Sequence, residues 1–182
     1  MKKKVKKNMV MNSSSLDVII EEELWLRKLD DVETLANSIL QASLRFLIEN
    51  DLGFDGWSGK PVSIGLSLSN NAEVQKLNRE FRGKDKPTNV LSFANIDDEN
   101  FENEFLSEEV VELGDIIMAV ETLEEEAEIK NISLDDHFTH LLVHGILHLF
   151  GYDHQDNDDA DEMESIEIDI LENLGIANPY EE

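Results

Sequence analysis

Apolar side chains recur at Leu35, Ile39, Leu40, Leu44 and Leu47. That spacing gathers them on one face of a helix over residues 32–49. Val62, Ile64, Leu66 and Leu68 instead alternate with small residues, as a strand with one buried face does. A helix capped by Asn70 or Asn71 should follow through Val74, Leu77 and Phe81 and stop at Gly83. Further strands are expected at 16–20, 89–93 and 113–120, with a helix over 121–130. Glycine and proline make 51–61 a loop. The acidic segment 97–109 has no periodicity and is expected to be a mobile surface loop. Ser133 should cap a helix reaching about Phe150, with Asp135 and Asp136 in its first turn. A turn over 151–154 then leads to a last helix from about Asp158, which buries Met163, Ile166, Ile170 and Leu174. Residues 16–182 thus read as one domain, a small sheet packed by helices, after a basic flexible tail at 1–15. The pairing of the strands is left open.

The helix after Ser133 carries all the candidate chemistry. The chain has no cysteine and only five histidines, so a zinc site must use imidazole and carboxylate. All five lie between His137 and His154. Those at 137, 140, 144 and 148 fall within an arc of about 80° on a helix. Around them are Phe138, Leu141, Leu142, Val143, Ile146, Leu147, Leu149 and Phe150, with no charge after Asp136. So apolar a helix must be buried, and its imidazoles need partners, since an unpaired buried polar group costs about 1–3 kcal/mol. His144 and His148, four apart, point at one cation, and the break at Gly151 lets His154 return as a third ligand. Three imidazoles leave a fourth position for water, as in catalytic zinc sites. A pair from His140 and His144 lacks the return turn and ranks lower. Asp153 is expected to orient a ligand or cap the turn rather than replace His154.

The string HGILHLFGYDH also matches the HxxxHxxGxxH spacing of metzincin proteases. There a glutamate follows the first histidine and serves as general base. Gly145 stands in its place, which disfavours peptidase chemistry of that kind. A close approach of substrate or backbone is one reason to accept a mid-helix glycine.

Charge distribution complicates the picture. A net charge of −26 should repel a polyanion. Yet five of the 15 basic residues are Lys76, Arg79, Arg82, Lys84 and Lys86, in one short segment. Naked RNA would then bind weakly, with a shallow salt dependence. The uncharged stretch 138–152 is too short and polar to span a bilayer. The opening residues lack the apolar run of a signal peptide, so a cytoplasmic protein is expected.

HGILHLFGYDH resembles the signature of the YbeY family of endoribonucleases that mature ribosomal RNA. LNREFRGKDKPTNVLSF (77–93), LGDIIMAV (113–120) and the closing acidic helix through Leu174 and Gly175 are similar to that family too, so the likeness covers about residues 62–180. It implies an α+β fold, a small mixed sheet packed by helices with the metal helix central. It implies one Zn2+ per chain on His144, His148 and His154, and a functionally required Arg82, within FRGKD, facing the same cleft. The implied activity is cleavage of single-stranded RNA in ribosomal RNA maturation, notably at the small-subunit 3′ end, and in ribosome quality control. The implied partners are ribosomal RNA, the small ribosomal subunit and its proteins, and a ribosome assembly GTPase, with no membrane. The proton acceptor stays unassigned, with Asp115 and Asp153 among the candidates. Two other readings keep the metal site. One is a zinc hydrolase of peptides or small molecules that grips substrate along 89–93. The other is a non-catalytic ribosome assembly factor with a structural metal.

Overall fold

A computed structural model describes residues 13–154 and 156–181. Residues 1–12 of the expected basic tail lie outside them, and Ser15 already belongs to the first strand. Four strands, β1 (Ser15–Ile20), β2 (Val62–Ser69), β3 (Val90–Ala94) and β4 (Val111–Ala119), form one sheet in the order β1-β2-β4-β3. The first three in that order run parallel, and β3 closes the edge antiparallel to β4. The sheet is therefore mixed, as the resemblance implies.

Seven α-helices, α1 (Trp25–Lys28), α2 (Val32–Glu49), α3 (Asn71–Arg82), α4 (Phe101–Ser107), α5 (Val120–Lys130), α6 (Leu134–Leu149) and α7 (Asn157–Asn173), and a 3-10 turn at Asn95–Asp97 complete the described chain. Their starts are capped much as the sequence leads one to expect. The Asn70 side chain accepts from the Glu73 N–H at 3.1 Å, and Ser133 Oγ accepts from the Asp136 N–H at 3.0 Å. Asp156 Oδ1 does the same for Asp158 and Asp159, which starts α7 one residue before the expected Asp158.

Val62, Ile64, Leu66 and Leu68 of β2, with Ile116 and Met118 of β4, share one core with α2, α6 and α7. On the other face, Val74 and Leu77 of α3 cover Leu91, Phe93, Ile117 and Ala119. Helix α6 is buried over most of its length and touches α2, α5, α7, β3 and β4. It is the central helix of the fold. Among the described residues no helix is long and apolar enough to cross a membrane.

One expectation needs correcting. The segment 97–109 is not an irregular loop, because α4 lies within it. Phe101 and Phe105, four apart, put both rings on one helical face, and each meets Phe54 edge-on at 5.4 Å. Trp57 and Phe150 complete that aromatic cluster. The acidic residues Glu102, Glu104 and Glu108 face solvent and hide the apolar pair from a search for periodicity.

Candidate metal centre

Helix α6 ends in a Schellman motif. The Tyr152 N–H donates to the Leu147 carbonyl at 3.1 Å, and the Gly151 N–H donates to that of His148 at 3.0 Å. Gly151 has φ +89°, a left-handed conformation that suits glycine. This reversal has two effects. It carries His154 back beside the helix, where its ring lies 5.5 Å from that of His144 and 5.1 Å from that of His148. It also turns the Tyr152 carbonyl onto His148 Nδ1 at 2.9 Å. Asp153 Oδ1 accepts from the His154 N–H at 2.7 Å, so Asp153 caps the turn. One ligand atom from each of His144, His148 and His154 lies within 4.8 Å of the others.

The tautomers follow from the acceptors. A carbonyl oxygen can only accept, so His148 Nδ1 carries the proton. His144 Nδ1 faces Glu167 Oε1 at 2.6 Å and donates to that carboxylate. Both Nε2 atoms are therefore left as lone pairs, and they point at each other across 3.0 Å. Burial, with the neighbouring His144, pushes His148 down to about pKa 4. A cation accepting both lone pairs fits this gap, and tetrahedral Zn–N bonds of about 2.0–2.1 Å would set such nitrogens roughly 3.3 Å apart. The residues present fit a zinc ion.

Glu167 is the partner that sequence reading missed. It is 0% exposed and sits in the apolar stripe of α7, beside Met163, Ile166, Ile170 and Leu171. Its carboxylate accepts from His144, from His140 Nε2 at 3.2 Å and from the Tyr180 hydroxyl. Burial pushes its pKa up, but the bonds from His140, His144 and Tyr180 outweigh this and hold it at about 2. The signal was present: four imidazoles on a buried helix need acceptors, and one glutamate interrupts an otherwise apolar face.

The remaining histidines serve other partners. His137 Nε2 bonds Glu126 at 2.7 Å, and His140 turns to Glu167, so a His140–His144 ligand pair is not formed. Asp115 is also displaced as a proton acceptor. Its neighbour Ile116 faces α6, whereas the Asp115 carboxylate lies over Gly65, where an added Cβ would approach it to 2.1 Å. Strand parity thus puts Asp115 on the far face of the sheet.

Gly145 has a packing reason rather than a substrate one. A Cβ there would stand 3.0–3.3 Å from three carbons of the Ile116 side chain. Gly145→Glu is therefore expected to overpack the α6–β4 contact, lowering stability by about 1–3 kcal/mol in a denaturant titration, rather than to install a base.

Arg82 is the last residue of α3, exposed and with no ion pair among the described residues. It lies on the face of the sheet opposite α6, so the structure does not bring it into contact with the imidazoles. Both nonetheless flank the edge strand. Phe81 packs on Phe93 of β3, and Gly151 faces Ile96 just beyond that strand.

The family model described as Endoribonuclease YbeY matches residues 20–175. A Paramagnetospirillum magneticum protein named Endoribonuclease YbeY is 50% identical over 121 residues, 66% of this chain and 73% of that one. A Sphingopyxis alaskensis protein of the same name is 51% identical over 120 residues, 65% and 71% of the two chains. The solution structure of TM1509 from Thermotoga maritima shares the fold, at a TM-score of 0.50 and 20% identity, over 92% of this chain and 100% of that one.

Proposed function

The chain belongs to the endoribonuclease YbeY family, and we propose that it hydrolyses single-stranded RNA at a zinc ion held by His144, His148 and His154. The supporting observation is the pair of Nε2 atoms facing each other at 3.0 Å, with His154 returned beside them by the turn, an arrangement that suits a shared cation. The physiological reading is maturation of ribosomal RNA, notably the small-subunit 3′ end, and ribosome quality control in the cytoplasm. The partners are the small subunit, its proteins and an assembly GTPase. A net charge of −26 supports dependence on such protein docking for substrate choice.

When bound, the cation supplies Lewis acidity to activate water and offset charge on the phosphoryl group. The chain's own residues do the rest. Glu167 and the Tyr152 carbonyl hold the two helix imidazoles in the tautomer that offers Nε2. Gly151 delivers His154. Arg82, beside the edge strand, forks two hydrogen bonds to the phosphate that runs across it and stabilises the charge that develops there.

Arg82→Ala is expected to lower cleavage of ribosomal RNA in its single-stranded segments about 100- to 1000-fold while elemental analysis still finds about one zinc per chain. Cleavage at the wild-type rate would remove Arg82 from the mechanism. Wild-type protein that cuts casein and spares the RNA would replace this reading with the peptidase one.

A further inference from the structure

The end of α3 and the loop behind it hold groups that the metal centre does not use. Phe81 is 62% exposed, on a helix whose other large apolar side chains, Val74 and Leu77, pack on the sheet. Its ring meets Phe93 edge-to-face, with centroids 5.1 Å apart and planes at 69°. That contact steadies the ring and leaves most of it in water. Arg79, Arg82, Lys84 and Lys86 surround it in sequence, and only Arg79 has an acidic partner among the described residues, Asp85 at 3.6 Å.

The loop bearing these lysines is tied down. Asn78, 2% exposed, donates from Nδ2 to the Lys86 carbonyl at 2.8 Å, and its own carbonyl accepts from the Lys84 N–H at 3.2 Å. Gly83, at φ +67°, makes the left-handed step between helix and loop. The ring and the backbone that carries the cations are therefore held in place without a ligand.

We propose that Phe81 is a stacking platform for one nucleobase of single-stranded RNA, whose neighbouring phosphates are held by Lys84 and Lys86. An aromatic face set in a short basic patch is the arrangement that binds unpaired strands without reading sequence. On so acidic a chain few phosphates can be neutralised, and stacking adds affinity that carries no charge. The inference takes from the proposed function only that the ligand is RNA.

Phe81→Trp provides the test, in the full zinc-loaded chain titrated with a single-stranded oligoribonucleotide. The two native tryptophans are 0% and 9% exposed, so they add a background emission, and contact quenching by a stacked base falls on the new indole. Its fluorescence is expected to quench saturably, with wild-type affinity retained. Phe81→Ala and Phe81→Leu are expected to weaken binding about 10-fold, with the slope of log K against log salt unchanged. The pair Lys84→Gln and Lys86→Gln should flatten that slope. An unquenched indole, or wild-type binding by both the alanine and leucine variants, overturns the proposal. So does an alanine variant that binds naked RNA normally and loses only its association with ribosomal particles, since the ring would then face a protein. Quenching in a chain that does not cut RNA would support the platform and count against the activity instead.

Discussion

Replacing His148 with alanine is expected to take zinc from about one ion per chain to near zero, and RNA cleavage to background with it. His148 supplies one of three nitrogens, and it faces His144 Nε2 directly at 3.0 Å. Without it two ligands remain, His144 on the helix and the exposed His154 after the turn, fewer than the three that catalytic zinc sites use. The turn itself should persist on its two backbone bonds and the Asp153 cap, although the bond from His148 Nδ1 to the Tyr152 carbonyl is lost. Elemental analysis, cleavage assay and circular dichroism on one preparation separate the possibilities. A folded variant still holding stoichiometric metal would show that the three imidazoles do not form the site. A wild-type protein unable to take up zinc from chelator-free buffer would end the enzymatic account.

The second large effect is expected at Glu167, a positioning residue that touches no substrate. Glu167→Gln keeps the shape but turns a carboxylate that accepts from three donors into an amide that is half donor. At least one of His140, His144 and the Tyr180 hydroxyl then loses its acceptor in a dry environment. Zinc affinity should fall about 10- to 100-fold with all three ligands in place. The metal-free chain should also lose about 1–3 kcal/mol, which at this size lowers the melting midpoint by several degrees. Competition with a chromophoric chelator measures the first quantity and thermal unfolding the second. Glu167→Asp, which keeps the charge, should recover part of the affinity. A glutamine variant with wild-type zinc affinity would show that His144 needs no such support.

Helix α2 and strand β2 could be read from periodicity because their apolar positions recur on the buried face. Helix α6, buried over most of its length, could be read from its apolar run and its caps. Val62, Ile64, Leu66 and Leu68 are all buried as their alternation demands, and Gly83 and Gly151 take the left-handed conformations that stop α3 and α6. The clustering of His144 and His148 could be read because helical spacing is itself geometry: residues four apart share a face before any tertiary contact forms. What escaped depends on contacts distant in sequence. Helix α4 is held by aromatic packing on Phe54, about fifty residues away, and its own composition looks like loop. Glu167 meets His144 only when α7 docks on α6. Asp115 was one residue out of phase, and a shift of one along a strand moves a side chain to the other face. The order β1-β2-β4-β3 likewise has no local signature.

That strand order has a kinetic consequence. Ser15 pairs with Ser63, and Val62 with Val111, so both parallel ladders join segments separated by nearly fifty residues. Loop closure of that length must precede any gain from pairing, which puts the chain among slow folders. The imidazole cluster needs still more, since its carboxylate support comes from the last helix. A cation that binds only after this helix has docked should show its stabilisation as a longer native lifetime rather than as faster refolding.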